Sequence, residues 1–235
     1  MAGAMNRLKP QVRGRQLKRQ IRALIERPDF DAKINQLLDM PKGSVTHVLI
    51  ALLTDTNPVI KWRAVKAMGI VTADLANQDM ESARAVMRRL IWSLYEESGG
   101  IGWGASEALG EIMACHEGLA EEFAQILVSF AMENGSFLEF EPLQCGVLWG
   151  IARLAQVRPP LLHSLNALEY VIPFFDSKDP TVRGMAALAG GLLEDVINHP
   201  PWDRLINDQS EISLYWKDEC KTVKICDLAK KPWIM

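Results

Sequence analysis

This chain offers few residues in arrangements that do chemistry. It has four cysteines in 235 residues, and none forms a Cys-x-x-Cys pair. Neither a thioredoxin-like redox centre nor a zinc ribbon can be read from them. In a reducing compartment they are free thiols, and Cys115 and Cys145, which fall in helical segments, are expected in the core. The four histidines, His47, His116, His163 and His199, are scattered. Cys115 and His116 are adjacent, which points them about 100° apart on a helix. No four-ligand set emerges, so neither a metal nor a cofactor is expected. No nucleophile, base and orienting group can be read together. Apolar runs are short: the best, Ala124 to Met132, cannot span a bilayer, and no membrane partner is expected. The N-terminus carries charges with no apolar stretch behind them, so the cytoplasm is the expected compartment. Neither sign of charge dominates. Twenty-six Lys and Arg face 29 Asp and Glu, for a net −3, which argues against a whole-protein affinity for nucleic acid and leaves only a local patch.

What the chain does have is internal repetition. Trp62-Arg63-Ala64-Val65-Lys66-Ala67-Met68-Gly69 and Trp103-Gly104-Ala105-Ser106-Glu107-Ala108-Leu109-Gly110 are one helix written twice, 41 residues apart. Weaker copies run from Cys145 to Ala152 and from Val182 to Ala189. Taking Gly69, Gly110, Ala152 and Ala189 as equivalent, the spacings are 41, 42 and 37. A period near 40 is the signature of stacked helix pairs, the HEAT/armadillo class. One pair cannot bury its own apolar face, whereas four stacked pairs build a continuous core with a concave and a convex surface.

The expected fold is therefore all-α: a right-handed α-solenoid of about four HEAT-like helix pairs, with repeats over 44–198 between a basic N-terminal helical cap, 1–43, and a C-terminal cap, 199–235. In the N-terminal cap Leu17, Ile21, Leu24 and Ile25 recur at helical spacing, and Pro28 marks a boundary. A second short helix carries Phe30, Ile34, Leu37 and Leu38. The first repeat pairs a helix over Val45 to Leu53 with one over Ile60 to Leu75, across the turn Asp55-Thr56-Asn57-Pro58. The second pairs Met80 to Tyr95 with Trp103 to His116. In the third, Leu119, Phe123, Ile126, Leu127 and Phe130 mark the first helix. An acidic loop, Glu133 to Pro142, leads to the second, which runs to Val157. The fourth uses Leu161, Leu165, Leu168 and Val171, then a helix from Pro180 to about Asn198. In the tail Ile212 to Trp216 alternates weakly like a strand, and Thr222 is placed to cap a last helix through Lys230.

Four features could carry function, each with a structural counterpart. The run Gly99-Gly100-Ile101-Gly102-Trp103-Gly104 precedes a helix, where free amides favour an anion. It matches no phosphate-binding fingerprint, and a tight packed turn is the expected reading. Trp62 and Trp103 occupy equivalent repeat positions, so their rings could neighbour one another as a recognition surface, with Trp149 further along. The column holds Cys145 and Val182 in the later repeats, which favours core packing. Arg63, Lys66, Glu107, Glu111, Arg153 and Arg183 form a charged ladder on the second helices. Mixed signs read first as salt bridges between repeats, and they are also what a partner would meet. Finally, Arg13, Arg15, Lys18, Arg19 and Arg22 form a basic cluster in the N-terminal helix that could hold phosphates.

The Trp-Arg-x-x-x-Ala-hydrophobic-Gly segment at Trp62 and the Pro-x-Val-Arg element at Pro180 resemble HEAT repeats, including those of the phycobilisome-lyase type, over residues 44–198. Val86-Met87-Arg88-Arg89-Leu90, Gly99 to Glu111 and Gly146-Val147-Leu148-Trp149-Gly150 look like a family of HEAT-repeat proteins from sulfate-reducing and related anaerobic bacteria. That family carries no activity to transfer, and Cys145 stands where it has an arginine. Two related families, bilin lyases and alkylpurine DNA glycosylases, imply enzymatic readings, but the repeats here show no dominant basic face. The expected function is a non-catalytic scaffold that binds a protein partner on the concave face through Trp62, Arg63, Trp103, Glu107, Arg153 and Arg183. Nucleic-acid binding by the basic N-terminal helix is the alternative, and a lyase or glycosylase-type enzyme the second.

Overall fold

The computed structural model describes residues 10–95, 102–194, 199–216 and 219–230. The N-terminal segment contains α1 (Pro10–Ile25) and the short α2 (Phe30–Lys33), which runs on as a 3-10 helix over Ile34–Asp39. Ile21, Leu24 and Ile25 of α1 are buried, as are Phe30, Ile34 and Leu37 after it. Their helical spacing turns one apolar face inward.

Helix pairs follow. α3 (Lys42–Leu52) is joined to α4 (Pro58–Gln78), and α5 (Met80–Tyr95) to α6 (Ala105–Cys115). Then α7 (Glu117–Ser129) leads to α8 (Glu141–Val157). Starts are set locally. Asn57 accepts from the Val59 amide at 3.0 Å with Pro58 behind it. His116 caps α7 through Nδ1, which accepts from the Leu119 amide at 3.2 Å. Asp179 accepts from the amides of Thr181 and Val182. An acceptor at the cap satisfies amides that have no partner inside the helix.

The first helix of the fourth pair is broken. α9 (Pro159–Ser164) and α10 (Ala167–Val171) are followed by a 3-10 helix over Ile172–Asp176, and only then by α11 (Pro180–Leu193). Asn166 sits between α9 and α10 with φ at 50°, a left-handed conformation that asparagine tolerates better than most residues. The stretch Leu161 to Val171 is therefore two short helices.

The second helices, α4, α6, α8 and α11, pack side by side as an inner layer. Glycine lets them approach. A Cβ on Gly110 would lie 2.5 Å from Gly150 Cα, and one on Gly150 would lie 2.7 Å from Ser106 O. The backbones of α6 and α8 therefore touch at these glycines.

The tail has the strand expected over Ile212 to Trp216 and departs from the expectation after it. β1 (Glu211–Trp216) pairs antiparallel with β2 (Glu219–Lys224), and α12 (Ile225–Leu228) follows. Thr222 lies opposite Ser213 inside the ladder and caps no helix. Its β-branched neighbour Val223 faces Ile212, a pairing that suits a strand. The Ile225 and Cys226 amides, bonded to Ser210 O and Asp208 O, hold the following turn. Two cysteine placements also differ from the reading of a thiol core: Cys115 is exposed and Cys145 half-buried, while Cys226 of the tail is buried.

Candidate functional site

A cleft of about 300 Å³ opens on the inner layer, lined by residues of α4, α6, α8, α11 and β1 together with the turns before α6 and α11. Its walls are aromatic. The Trp62 and Trp149 ring centroids lie 4.6 Å apart, so side chains of the first and third inner helices meet across the second. Tyr215 of β1 also stacks on Trp62. At the mouth Trp103 meets Phe140 edge to face, centroids 5.9 Å apart. Trp103 is 39% exposed and Phe140 43%, whereas Trp149 is only 7% exposed. Among the described residues the Trp149 indole Nε1 has no acceptor.

Trp62 and Trp103 are equivalent in sequence but not in structure. Trp62 lies in the second turn of α4, while Trp103 precedes α6, which starts at Ala105. Gly104 at φ 75° breaks the helical path there, and Leu53 packs against it. The two rings therefore take different neighbours, and Trp103 pairs with Phe140 of the acidic loop. Gly99 to Ile101 lie outside the described residues, so the glycine run is described only at its end. There Gly102 abuts the Ser93 carbonyl, where a Cβ would come within 2.8 Å. The end of the run is a packed turn.

The charged ladder is joined internally. Lys61 Nζ contacts Glu107 Oε1 at 2.7 Å and stands over the Trp62 ring. Glu107, 6% exposed, lies against Gly146, whose missing Cβ leaves room for the carboxylate. One seam further, Arg153 Nε donates to Glu111 Oε2 at 2.6 Å and Nη2 to Oε1 at 3.2 Å. Glu111 is accommodated over Gly69 in the same way. Lys66 pairs with Asp31. Arg183 binds Asp208 at 2.8 Å and donates to the carbonyls of Ser177 and Lys178. Arg63 is 8% exposed. Its Nη1 donates to Ile25 O and Arg27 O at 2.8 and 2.7 Å, and its guanidinium lies over the Phe30 ring. Of the six residues read as partner-binding, only Trp62, Trp103 and Glu107 line the cleft. Arg63 is turned away from it, into the N-terminal segment.

The sequence reading missed Tyr215, Ser213 and Phe140. The first two come from the tail, where the alternation over Ile212 to Trp216 marks a strand but carries no sign that it returns to the first repeat. Cys145 also lines the cleft. Burial first, then the carboxylates of Asp179 and Glu107, push its thiol up to about 12. The thiolate needed of a nucleophile is not populated at neutral pH. Among the described residues no cluster of three or more metal-ligating side chains occurs, and no helix is long and apolar enough to cross a membrane.

On α1, Arg15, Lys18 and Arg19 are exposed and Arg22 half-buried. Their spacing places them on the side of the helix opposite Leu17, Ile21 and Leu24. Arg22 is engaged with Glu26 and Asp55, both at 2.8 Å. The side chain of Arg13 lies outside what is described.

No protein-family model matches the chain, and no curated protein matches its sequence. Solved structures do match. The designed armadillo repeat protein YIII(Dq)4CqI aligns over 96% of this chain and 93% of its own, at 17% identity and a TM-score of 0.50. The designed armadillo repeat protein YIII(Dq.V1)4CPAF, solved in complex with the peptide (KR)4, aligns over 79% and 77%, at 17% identity and a TM-score of 0.50. An engineered protein aligns over 88% of this chain and 52% of its own, at 17% identity and a TM-score of 0.51. The chain is a helical repeat solenoid, similar in fold to these designed armadillo proteins. At these identities the likeness is one of fold.

Proposed function

We propose that this protein is a non-catalytic scaffold that holds a segment of a partner protein in the cleft on its inner helical face. The carrying observation is the exposed Trp103–Phe140 pair at the mouth of a cleft floored by Trp62 and Trp149. Large rigid aromatics that stay exposed beside a concavity are the usual anchors of protein recognition. The charge inside is nearly balanced. Lys61 offsets Glu107 and Asp179 remains, so the segment suited to the cleft is an apolar anchor with at most a single basic flank. That a solenoid of this fold is found with a peptide supports the reading. The repeating unit has two helices, where armadillo units have three, and on that ground we read the repeats as HEAT-like.

The test is a display of short random peptides against the folded protein and against Trp103→Ala. The expected result is an enriched consensus with an aromatic or aliphatic anchor that the variant fails to bind, with unchanged circular dichroism. A consensus retained by the variant, or no enrichment at all, overturns the assignment.

The exposed basic face of α1 favours a second reading, a nucleic-acid contact through Arg15, Lys18 and Arg19. Its mark is affinity that falls steeply with salt. Titration of a duplex at rising salt decides it, and replacing those three residues by glutamine would abolish a contact of this kind.

A further inference from the structure

The tail hairpin brings an open strand edge to the cleft. β1 and β2 form a sheet of two strands. The Ile225 amide donates to Ser210 O at 3.1 Å, in register with the ladder that follows. In an antiparallel pair, residues bonded across the ladder alternate with residues whose N–H and C=O point outward. Ile212 and Leu214 therefore bond to β2, while the amides and carbonyls of Glu211 and Ser213 point out from the other edge of β1. Among the described residues no hydrogen-bond partner reaches them. Both residues are exposed, and Ser213 lines the aromatic cleft together with Trp149 and Met185.

An open edge is a template for another strand, and folded proteins usually blunt it with charge, proline, a bulge or a covering element. β2 is blunted in this way by the exposed Glu219, Lys221 and Lys224, and none of its residues lines the cleft. β1 carries no charge or proline from Ile212 to Tyr215, and no bulge interrupts its register. Its edge is also held in place. Ile212 packs on Gly184 and Leu214 is buried, so little order remains to be imposed when a strand is added.

We propose that the partner segment binds in extended form, as a third strand on the outer edge of β1. The proposal rests on the cleft reading and adds the conformation of the occupant. Main-chain bonds to Glu211 and Ser213 set its register, and alternate side chains face the cleft. Asp179, in the cleft, and Glu211, on the edge, have no ion-pair partner among the described residues. The segment that fits therefore alternates, with apolar residues for the aromatic walls and one lysine or arginine for these carboxylates. A second copy of β1 has no basic residue to offer and would add another Glu211.

The experiment is an NMR titration of the whole labelled protein with the capped heptapeptides acetyl-Thr-Xaa-Thr-Xaa-Thr-Lys-Thr-amide, where Xaa is leucine, valine, phenylalanine or tryptophan. The expected result is saturable binding that slows exchange of the Glu211 and Ser213 amides. A strand edge uses every second N–H of its guest. N-methylation of one alternate set of peptide amides should therefore weaken binding about tenfold or more, and methylation of the other set should not. Ser213→Pro removes the outward donor and spares the ladder, because proline is tolerated where an edge N–H faces solvent. It should weaken binding similarly, with the Ile212 and Leu214 amides still protected, and Ser213→Ala should bind normally. If the proline variant loses that protection, the two methylated sets decide alone, on the unaltered protein. No binding, equal effects of the two sets, or binding without protection at Ser213 would overturn the proposal. So would protection there that grows with protein concentration before peptide is added. Binding lost in Trp103→Ala but indifferent to methylation would overturn the strand and leave the cleft reading standing.

Discussion

Tyr215, twenty residues from the C-terminus, lies nearly parallel to Trp62 in the first inner helix, with ring centroids 5.2 Å apart and planes 10° apart. Around this contact Ile212 packs on Gly184, and Leu214 is buried. The hairpin is thus fastened at one end to the fourth pair and at the other to the first. Stacked aromatic pairs contribute about 0.5–1.5 kcal/mol beyond the area they bury. Tyr215→Ala is expected to lower the denaturation midpoint by that order and to speed amide exchange in β1 and β2. Unchanged exchange there would show that the ring contact does not hold the hairpin.

Arg63 separates structure from recognition. Its guanidinium closes the end of α1 through two carbonyls and covers Phe30. Hydrogen bonds to a charged group are worth about 1.5–3 kcal/mol each. Arg63→Met is expected to destabilise the fold by a few kcal/mol on this ground and to leave peptide binding in the cleft unchanged, measured by urea unfolding beside a binding isotherm. A stable variant with lost binding would return Arg63 to the site.

The glycine contact of the inner layer gives a sharper test. Gly110→Ala places a methyl against the Gly150 backbone, which cannot rotate away, and overpacking of this kind costs about 1–3 kcal/mol or more. Gly43→Ala in α3 meets nothing within 4 Å and is expected to be neutral or to stabilise by up to about 1 kcal/mol. Thermal unfolding of the two variants side by side checks the difference in sign.

Acid should release the tail in a definite window. At Asp208 burial opposes ionisation, but the hydrogen bonds from Arg183 and Ser210 outweigh it and hold the carboxyl below its usual 3.8. A carboxylate with a depressed folded-state pKa contributes stability that is fully present above the unfolded value and is lost as pH falls through the folded one. The penalty of Asp208→Asn is therefore expected to be constant from neutral pH to about 5 and to shrink below about 4. A penalty that already fades between pH 7 and 5 would refute the assignment.

The repeat layout was legible because helix seams leave a local mark. Small residues recur where helices touch, and Asn57-Pro58 and Asp179-Pro180 announce helix starts. Helix α5 runs from Met80 to Tyr95, as its apolar stripe indicates. The cleft was half legible. Trp62 and Trp103 stand out by repetition, but their equivalence ends at Gly104, where a left-handed residue replaces a helical turn. Ser213 reaches the cleft, and Tyr215 the Trp62 ring, only through the return of the tail, and the broken first helix of the fourth pair hinges on Asn166. These depend on contacts between residues far apart in sequence, for which periodicity carries no signal. Arg63 looked like a surface charge because its acceptors are backbone carbonyls, and every residue has one.

A helical solenoid can ordinarily gain or lose units, since each touches only its neighbours. The stacking of Tyr215 on Trp62 removes that freedom. One more helix pair inserted between them would move Trp62 away by roughly the 8–10 Å that separates packed helices, beyond the reach of a tyrosine ring. The number of repeats in this protein is therefore part of its tertiary structure, measured by its own tail.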